Sequence, residues 1–291
     1  MGHPPNCEHK QELIPRKARM KDNDLSPALP LSHKPMRWRL FFVLWTAAVM
    51  GLFLVLPYAL AMIPANIFSK LPPLRILIPL QVGQGAIFLG LLTLAGLFFS
   101  NRTGLAAPIL EAWLDGENFW IRLKPILLPS VLVGATGTLA VLALEFLVFQ
   151  PAIRHQSPAA AAALSLWNQP AAWKGLLASF FGGIDEEIEL RLFALSLLVW
   201  LGRFIFRKPD GRPTATAFWI ANILAALLFG LGHLPAYSLL APLTPVIVAR
   251  AVVLNGLLGL AFGYLYWTRG LESAMLSHFS ADLLLHVILA L

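Results

Sequence analysis

Eleven ionisable side chains lie inside long apolar stretches of the sequence, and their clustering is what suggests chemistry. A charged residue at the centre of a membrane-spanning helix costs about 2.5–3.5 kcal/mol on insertion scales. Such residues usually face the interior of a helix bundle, pair with one another and mark a functional path. They are Glu145, Asp185, Glu186, Glu187, Glu189, Arg191, His233, Arg250, His278, Asp282 and His286.

The first cluster is an acidic run followed by an arginine. Four carboxylates lie between Asp185 and Glu189, and they cannot all stay ionised where water is excluded. On a helix, Glu187 and Arg191 share a face and can form an ion pair. Glu186, about 100° further round the helix, is then free to face a cavity, where a carboxylate can act as a general base. The alternative is a polar loop between two shorter helices.

The second cluster runs from Phe229 to His233. These two residues are one helical turn apart and share a face. Gly230 and Gly232 between them permit close approach of a neighbouring helix or of a substrate backbone. A single histidine on an apolar helix is more often a buried structural residue than a catalyst. This cluster therefore indicates a catalytic site only in combination with the other two.

The third cluster is a stripe along the last apolar stretch. His278, Asp282 and His286 recur at intervals of four residues, so they lie on one face of a helix. An aspartate at this spacing can orient an imidazole and fix its tautomer, and the pair could also ligate a metal. The alternative is a polar contact that only holds helices together.

The composition indicates that these clusters lie in a membrane. The chain is 58% hydrophobic and only 13% charged, whereas soluble domains are about 45–50% apolar and about 25% charged. The net charge is +7, but no basic stripe with interleaved aromatic residues indicates nucleic-acid binding. The single cysteine, Cys7, excludes an internal disulfide and a cysteine-based metal site.

Spans of roughly 20 apolar residues predict an all-α, polytopic transmembrane helical bundle. Residues 105–121 and the alanine-rich residues 158–167 could add an eighth span to a predicted seven. Glu145 and Arg250 are expected to pair across the third and sixth spans. The seven predicted spans lie near 40–63, 76–100, 125–149, 174–200, 216–240, 245–267 and 271–291.

Three regions are predicted along the chain: a polar, basic, disordered cytoplasmic tail at 1–38, N-terminal transmembrane helices at 39–170 and catalytic transmembrane helices at 171–291. The tail is too long and polar, and the first apolar run too long, for a cleavable signal peptide. With the N-terminus inside, sixteen Lys and Arg lie at cytoplasmic positions and four at external ones. This bias favours the N-inside orientation.

The three clusters together resemble the CPBP family, the CAAX-processing and bacteriocin-processing (Abi) membrane peptidases. The family motifs are EExxxR, FxxxH and HxxxB, where B is Asn or Asp, and the resemblance covers residues 174–291. One departure is Asp282, because the prenyl-protein peptidases carry Asn there. In this sequence the motifs are Glu186-Glu187-x-x-x-Arg191, Phe229-x-x-x-His233 and His278-x-x-x-Asp282.

The resemblance implies an intramembrane endopeptidase that hydrolyses a membrane-associated or lipidated peptide. Glu186 would activate a water molecule, and His233 would hold that water or the developing oxyanion. His278 and Asp282 would support the tetrahedral intermediate. Orienting or structural roles fall to Glu187, Arg191 and Phe229. With the predicted boundaries, however, His233 and His278 lie at different depths, so either the boundaries shift, as we expect, or the helices tilt.

No cofactor is the leading expectation, because a glutamate can activate water without a metal and no HExxH motif is present. A divalent metal such as zinc is the alternative, held by Glu186, His233 and His278 with an open position for water. The expected partners are the lipid bilayer and a membrane peptide or protein substrate. The sequence carries no signal for an oligomeric state.

Two other functions compete with peptidase activity. Intramembrane carboxylates and histidines also build proton-coupled transporters, but these usually show an inverted repeat, whereas the ionisable residues here crowd into the second half. A non-catalytic scaffold or bacteriocin self-immunity protein could use the same fold. The abundance of the family in bacteria suggests a bacterial cytoplasmic membrane.

Overall fold

The structure, a computed structural model, describes residues 36–291, and these residues form helices joined by short turns. The tail predicted at 1–38, apart from its last three residues, and Cys7 lie outside the described residues. No strand occurs in the described part, so the all-α class is confirmed.

Thirteen α-helices follow one another between residues 38 and 282. They are α1 (Trp38–Met62), α2 (Ala65–Phe68), α3 (Leu74–Thr103), α4 (Pro108–Leu114), α5 (Trp120–Leu144), α6 (Gln150–Gln156), α7 (Pro158–Ala163), α8 (Ala172–Phe181), α9 (Ser196–Gly202), α10 (Ala215–Gly232), α11 (Leu234–Leu240), α12 (Pro245–Arg269) and α13 (Leu271–Asp282). Wider π-helical segments continue several of them: Glu145–Phe149, Gly182–Glu186, Ile188–Leu195 and Leu283–Val287, the last followed by a 3-10 turn at Ile288–Ala290.

Six helical stretches among residues 36–291 are long and apolar enough to cross a membrane, by length and composition. They coincide with six of the seven predicted spans. The predicted fourth span, 174–200, is also continuously helical from 172 to 202. It is not among the six because its acidic cluster makes it more charged than they are. The eighth span considered at 105–121 or 158–167 is not formed, because α4 and α7 have only 7 and 6 residues.

Helix α12 lies at the centre of the bundle. Half of its most apolar window is buried (50%), against 22% for α1, and α12 packs against α5, α10 and α13. The hydroxyl of Thr244 accepts a hydrogen bond from the backbone N–H of Ile247 and caps the helix start. Large apolar side chains on the outer helices, such as Ile87 and Leu147, remain exposed, as lipid-facing residues do.

The two glycines of the second cluster behave differently. A Cβ at Gly230 would lie 2.6 Å from Val252 Cα, so this glycine is what lets α10 approach α12 closely. Nothing lies within 4 Å of a Cβ at Gly232. The predicted close approach therefore holds for Gly230 and not, within this structure, for Gly232.

Polar contacts connect the helix ends that the charge bias assigns to the cytoplasm. Arg37 at the start of α1 forms ion pairs with Glu111 and Asp115, at 2.9 and 2.6 Å. The carboxylate of Glu272 accepts hydrogen bonds from the backbone N–H groups of Ile109 and Leu110, at 3.0 and 2.8 Å. The start of α13 is thereby fixed against α4.

A buried ion pair joins the third and sixth predicted spans. Arg250 on α12 donates from Nε and from one terminal nitrogen to the carboxylate of Glu145, at 2.7 and 2.9 Å. The side-chain amide of Gln150 also donates to Glu145, at 2.9 Å. The pairing expected from the sequence is therefore present, with both carboxylate oxygens satisfied.

The orientation stays a prediction and can be measured with single cysteines in a Cys7→Ser background. Asn168→Cys lies between α7 and α8, and Lys208→Cys between α9 and α10. A membrane-impermeant maleimide should label Asn168→Cys in intact cells, and Lys208→Cys only after permeabilisation, because Lys and Arg are retained inside. The reverse labelling pattern would show that the N-terminus lies outside.

The Glu145–Arg250 pair predicts a non-additive effect on stability. Glu145→Leu alone strands a buried cation and should lower the stability of the detergent-solubilised protein by about 3–5 kcal/mol. Glu145→Leu combined with Arg250→Leu should recover most of that loss in a thermal unfolding assay. The exposed pair Glu117–Arg122 is the control, since Glu117→Leu should change little. Additive losses would contradict this explanation.

Candidate active site

The acidic cluster is helical, so the alternative of a polar loop between two helices is wrong. Gly182–Glu186 and Ile188–Leu195 adopt π-helical geometry, a local widening of the helix that is frequent at functional sites. The adjacent carboxylates of Glu186 and Glu187 face different surroundings. The Glu186 side chain retains 23% exposure and lines a cavity, whereas that of Glu187 is fully buried.

Glu187 is held by a cation and an imidazole. Its Oε1 lies 3.0 Å from a terminal nitrogen of Arg191 and 2.7 Å from His278 Nδ1. Arg191 also donates to the backbone carbonyl of Gly259 at 3.1 Å, and its guanidinium lies 4.9 and 5.4 Å from the ring centres of Phe229 and Phe262. The ion pair expected one helical turn apart is thus formed inside the bundle.

His278 is oriented by a stacking contact of its ring and by contacts of its two nitrogens. Its ring stacks on Phe262 with centroids 4.7 Å apart, and Nδ1 contacts Glu187. This leaves Nε2 directed at the other two carboxylates, 3.6 Å from Glu186 Oε2 and 3.7 Å from Asp282 Oδ1. Both distances exceed that of a direct hydrogen bond.

His233 has a defined tautomer when neutral. Its Nδ1 lies 2.8 Å from the backbone oxygen of Phe229. A carbonyl can only accept, so Nδ1 carries the hydrogen and Nε2 is the acceptor. Because His233 lines the cavity, this Nε2 is the nitrogen available to a water molecule.

Phe229 contacts both histidines, which line the same cavity. Its ring lies edge-on to both imidazoles, at 5.0 Å from His233 and 5.6 Å from His278. The helix boundaries agree with the predicted spans within a few residues, so the expected shift of boundaries is wrong. His233 lies between α10, which ends at Gly232, and α11, which begins at Leu234, and its side chain lines the cavity.

Gly182 creates the space in which Asp282 sits. A Cβ at Gly182 would collide with Asp282 Oδ2 and would lie 3.1 Å from His278 Nε2. The π-helical turn that begins at Gly182 therefore packs directly against the third motif. No sequence motif marked this glycine, because its requirement arises only from the contact between two helices.

A cavity of about 570 Å³ joins the four proposed catalytic side chains, Glu186, His233, His278 and Asp282. This volume lies within the range of small-molecule and peptide-segment sites. Its other lining residues are mostly apolar and come from several helices, with a polar end that includes Tyr58, His286, Tyr237 and Arg250. The arrangement can bind a partly apolar chain and place a carboxylate beside it.

Two carboxylates of the acidic run stay apart from this site. Neither Asp185 nor Glu189 lines the cavity. Asp185 is fully buried, and neither of its carboxylate oxygens has a hydrogen-bond partner among the described residues. It packs against Gly51 of α1, where an added Cβ would collide with its carboxylate.

Tyr58 is the cavity residue that the sequence analysis missed. It lies in α1, outside all three motifs, and its hydroxyl contacts His286 Nδ1 at 3.2 Å. An isolated tyrosine in an apolar span carries no spacing signal that could connect it to residues more than two hundred positions away.

The metal alternative can be compared with this geometry. Within residues 36–291, no group of three or more His, Cys, Asp or Glu side chains is arranged to hold a metal ion. Of the three suggested ligands, His278 has one nitrogen engaged by Glu187 and the other 3.6 Å from Glu186. A ligating histidine usually donates from its second nitrogen to a carboxylate, so these contacts do not decide the matter, and zinc at Glu186, His233 and His278 stays a prediction.

Comparison with known proteins gives one match, to a family. No curated protein and no solved structure matches the chain. Residues 168–284 match the family described as Type II CAAX prenyl endopeptidase Rce1-like, and this segment contains all three motifs. The match confirms the resemblance: residues 168–284 of this multi-pass membrane protein are similar to the Rce1-like CAAX prenyl endopeptidases, a family of proteases.

Proposed function

We propose that the chain is an intramembrane endopeptidase in which Glu186 activates the attacking water. The observation that carries the proposal is the separation of two adjacent carboxylates into two environments. Glu187 is buried against Arg191 and His278, whereas Glu186 faces the cavity across from His278 Nε2. Neighbouring carboxylates with distinct surroundings are a recurrent basis for distinct catalytic roles.

The water would bind among Glu186 Oε2, His278 Nε2 and Asp282 Oδ1. It would lie on the cavity side of these atoms, of which the two carboxylate oxygens are 3.6 and 3.7 Å from His278 Nε2. Its two hydrogens would go to Glu186 Oε2 and to His233 Nε2, which is the acceptor of that ring. These contacts would orient the oxygen lone pair towards a substrate carbonyl in the cavity.

Hydrolysis then follows from general acid–base chemistry. Glu186 takes a proton from the water, and the oxygen attacks the scissile carbonyl to form a tetrahedral oxyanion. Glu186 returns the proton to the leaving amine as the C–N bond breaks. His278, when Nε2 also carries a hydrogen, can donate to the oxyanion. Glu187 and Arg191 act through His278 by fixing its orientation.

The apolar part of the cavity supports a lipidated or membrane-associated peptide as the substrate class. Apolar side chains of α1, α5 and α12, among them Val55, Val141 and Leu258, line it beside the proposed catalytic residues. The matched family is described as acting on CAAX prenyl proteins, which have a lipid next to the peptide. Such a cavity suits a chain that is apolar on one side and peptidic on the other.

The first experiment is cleavage of a peptide library, including farnesylated peptides, by the purified protein in detergent. Glu186→Gln should lower the cleavage rate by about 10²–10⁴-fold, because a general base contributes that much. Glu189→Gln is the matched control within the same acidic run and should retain activity. His233→Ala should also lower the rate, since it removes the second acceptor proposed for the water.

The outcomes separate the remaining mechanisms. Cleavage that persists in a chelator would support water activation by glutamate alone, and loss of cleavage restored by zinc would support a metal. Activity equal in the native protein and the Glu186→Gln variant would contradict the site assignment. Normal biological function of Glu186→Gln without any cleavage would favour the scaffold or immunity role.

Gly182 gives an independent prediction for the same site. Gly182→Ala should lower kcat at least tenfold, because the added methyl group would displace Asp282 and crowd His278 Nε2. Gly232→Ala is the matched control, since a Cβ there meets nothing within 4 Å, and alanine is the better helix former. Steady-state kinetics together with thermal unfolding would show whether the loss is local. Equal kinetics for both variants would contradict the packing argument.

A further inference from the structure

His286 continues the stripe of His278 and Asp282 by one more turn, but the proposed hydrolysis does not use it. It lines the cavity together with Tyr58 of α1. Its Nδ1 lies 2.9 Å from Gln169 Oε1 and 3.2 Å from the Tyr58 hydroxyl. These three side chains form a hydrogen-bonded group, the Tyr58–His286–Gln169 triad, beside the proposed catalytic residues.

The orientation of the Gln169 amide follows from its contacts. Its Nε2 donates to the backbone carbonyls of Leu166 and Leu285, at 2.7 and 2.9 Å. Two carbonyl acceptors use both amide hydrogens, so the atom that faces His286 is the oxygen. Since that oxygen can only accept, His286 Nδ1 carries the hydrogen.

The remaining polar atoms of the triad are then a donor and an acceptor. The Nδ1 hydrogen of His286 is shared between Gln169 Oε1 and the Tyr58 oxygen, so the phenolic hydrogen of Tyr58 is free to donate elsewhere. With Nδ1 protonated, Nε2 of the neutral His286 ring is an acceptor. A donor and an acceptor that line one cavity match the C=O and N–H of a peptide backbone.

The position of the triad relates it to the scissile bond. His286 follows Asp282 by four residues, in the π-helical segment Leu283–Val287 that continues α13. Both side chains line the same cavity. The triad therefore lies about one helical turn from Asp282, within reach of a peptide that occupies the cavity.

We infer that Tyr58 and His286 form a backbone-binding subsite for the peptide substrate, with Tyr58 donating to a substrate carbonyl and His286 accepting from a substrate N–H. The inference rests on the proposed peptidase function and adds two residues outside the matched segment 168–284. Gln169 is a positioning residue, because it acts by fixing the tautomer of His286.

The test measures binding in the Glu186→Gln background, so that the probe stays intact. The probe is a farnesylated peptide ending in Cys-aliphatic-aliphatic-Met, prepared as a series in which one peptide bond at a time is replaced by an ester. An ester lacks the N–H and has a weaker carbonyl acceptor. One ester position should weaken binding about three- to tenfold, the value of one neutral hydrogen bond.

Two variants assign that loss to the subsite. His286→Asn keeps a donor for Gln169 and removes the Nε2 acceptor, and Tyr58→Phe removes one hydroxyl. Each should weaken binding of the all-amide peptide by a similar factor. The ester that lacks the bound N–H should then cause little further loss in His286→Asn, and its full loss in Tyr58→Phe. Tyr264→Phe, at an exposed tyrosine of α12, and His155→Asn, at an exposed histidine of α6, are the matched controls and should bind as the parent does.

The results distinguish this subsite from the catalytic proposal. An ester penalty that is the same in the parent and in His286→Asn would overturn the subsite and leave the peptidase proposal standing. Glu186-independent cleavage together with the expected coupling would overturn the catalytic assignment and retain the subsite. Absence of binding of the all-amide probe to the Glu186→Gln protein would overturn the subsite together with the lipidated substrate class.

Discussion

The buried contact of Arg191, Glu187 and His278 is the interaction on which the rest of the site depends. It connects the acidic helix with α13 and, through the carbonyl of Gly259, with the central helix α12. Removing one member of a buried ion pair typically costs about 3–5 kcal/mol. The same contact points His278 Nε2 at Glu186 and Asp282, so packing of the bundle and orientation of the proposed catalytic group are one arrangement.

The π-helical geometry and the glycine beside it make that arrangement compatible with helix packing. Glu186 and Glu187 are consecutive, yet one reaches the cavity and the other is enclosed. Gly182 brings the acidic helix close enough to α13 for Asp282 and His278 to lie against it. A regular helix with a larger residue at position 182 could not hold both motifs at this separation.

Much of the fold could be predicted from the sequence, because apolar length and charge spacing are local properties. The seven predicted spans agree with the helical stretches, and Glu187–Arg191 and Glu145–Arg250 pair as their positions in the spans suggested. The common depth of His233 and His278 could not be predicted, since it depends on the offset between α10 and α13 and on the reach of each side chain. Tyr58 was missed for a related reason, because contacts between distant helices leave no periodic pattern.

The cavity is lined by two parts of the chain, one that matches the family model and one that lies before the matched segment. Its motif-bearing wall lies within residues 168–284, whereas Val55, Tyr58, Met62 and Val141 of the facing wall lie before them. The facing wall can therefore accumulate substitutions that reshape the space for a substrate while the motif contacts stay intact. Within such an architecture, new preferences can evolve in the N-terminal helices while the chemistry is inherited unchanged from the C-terminal ones.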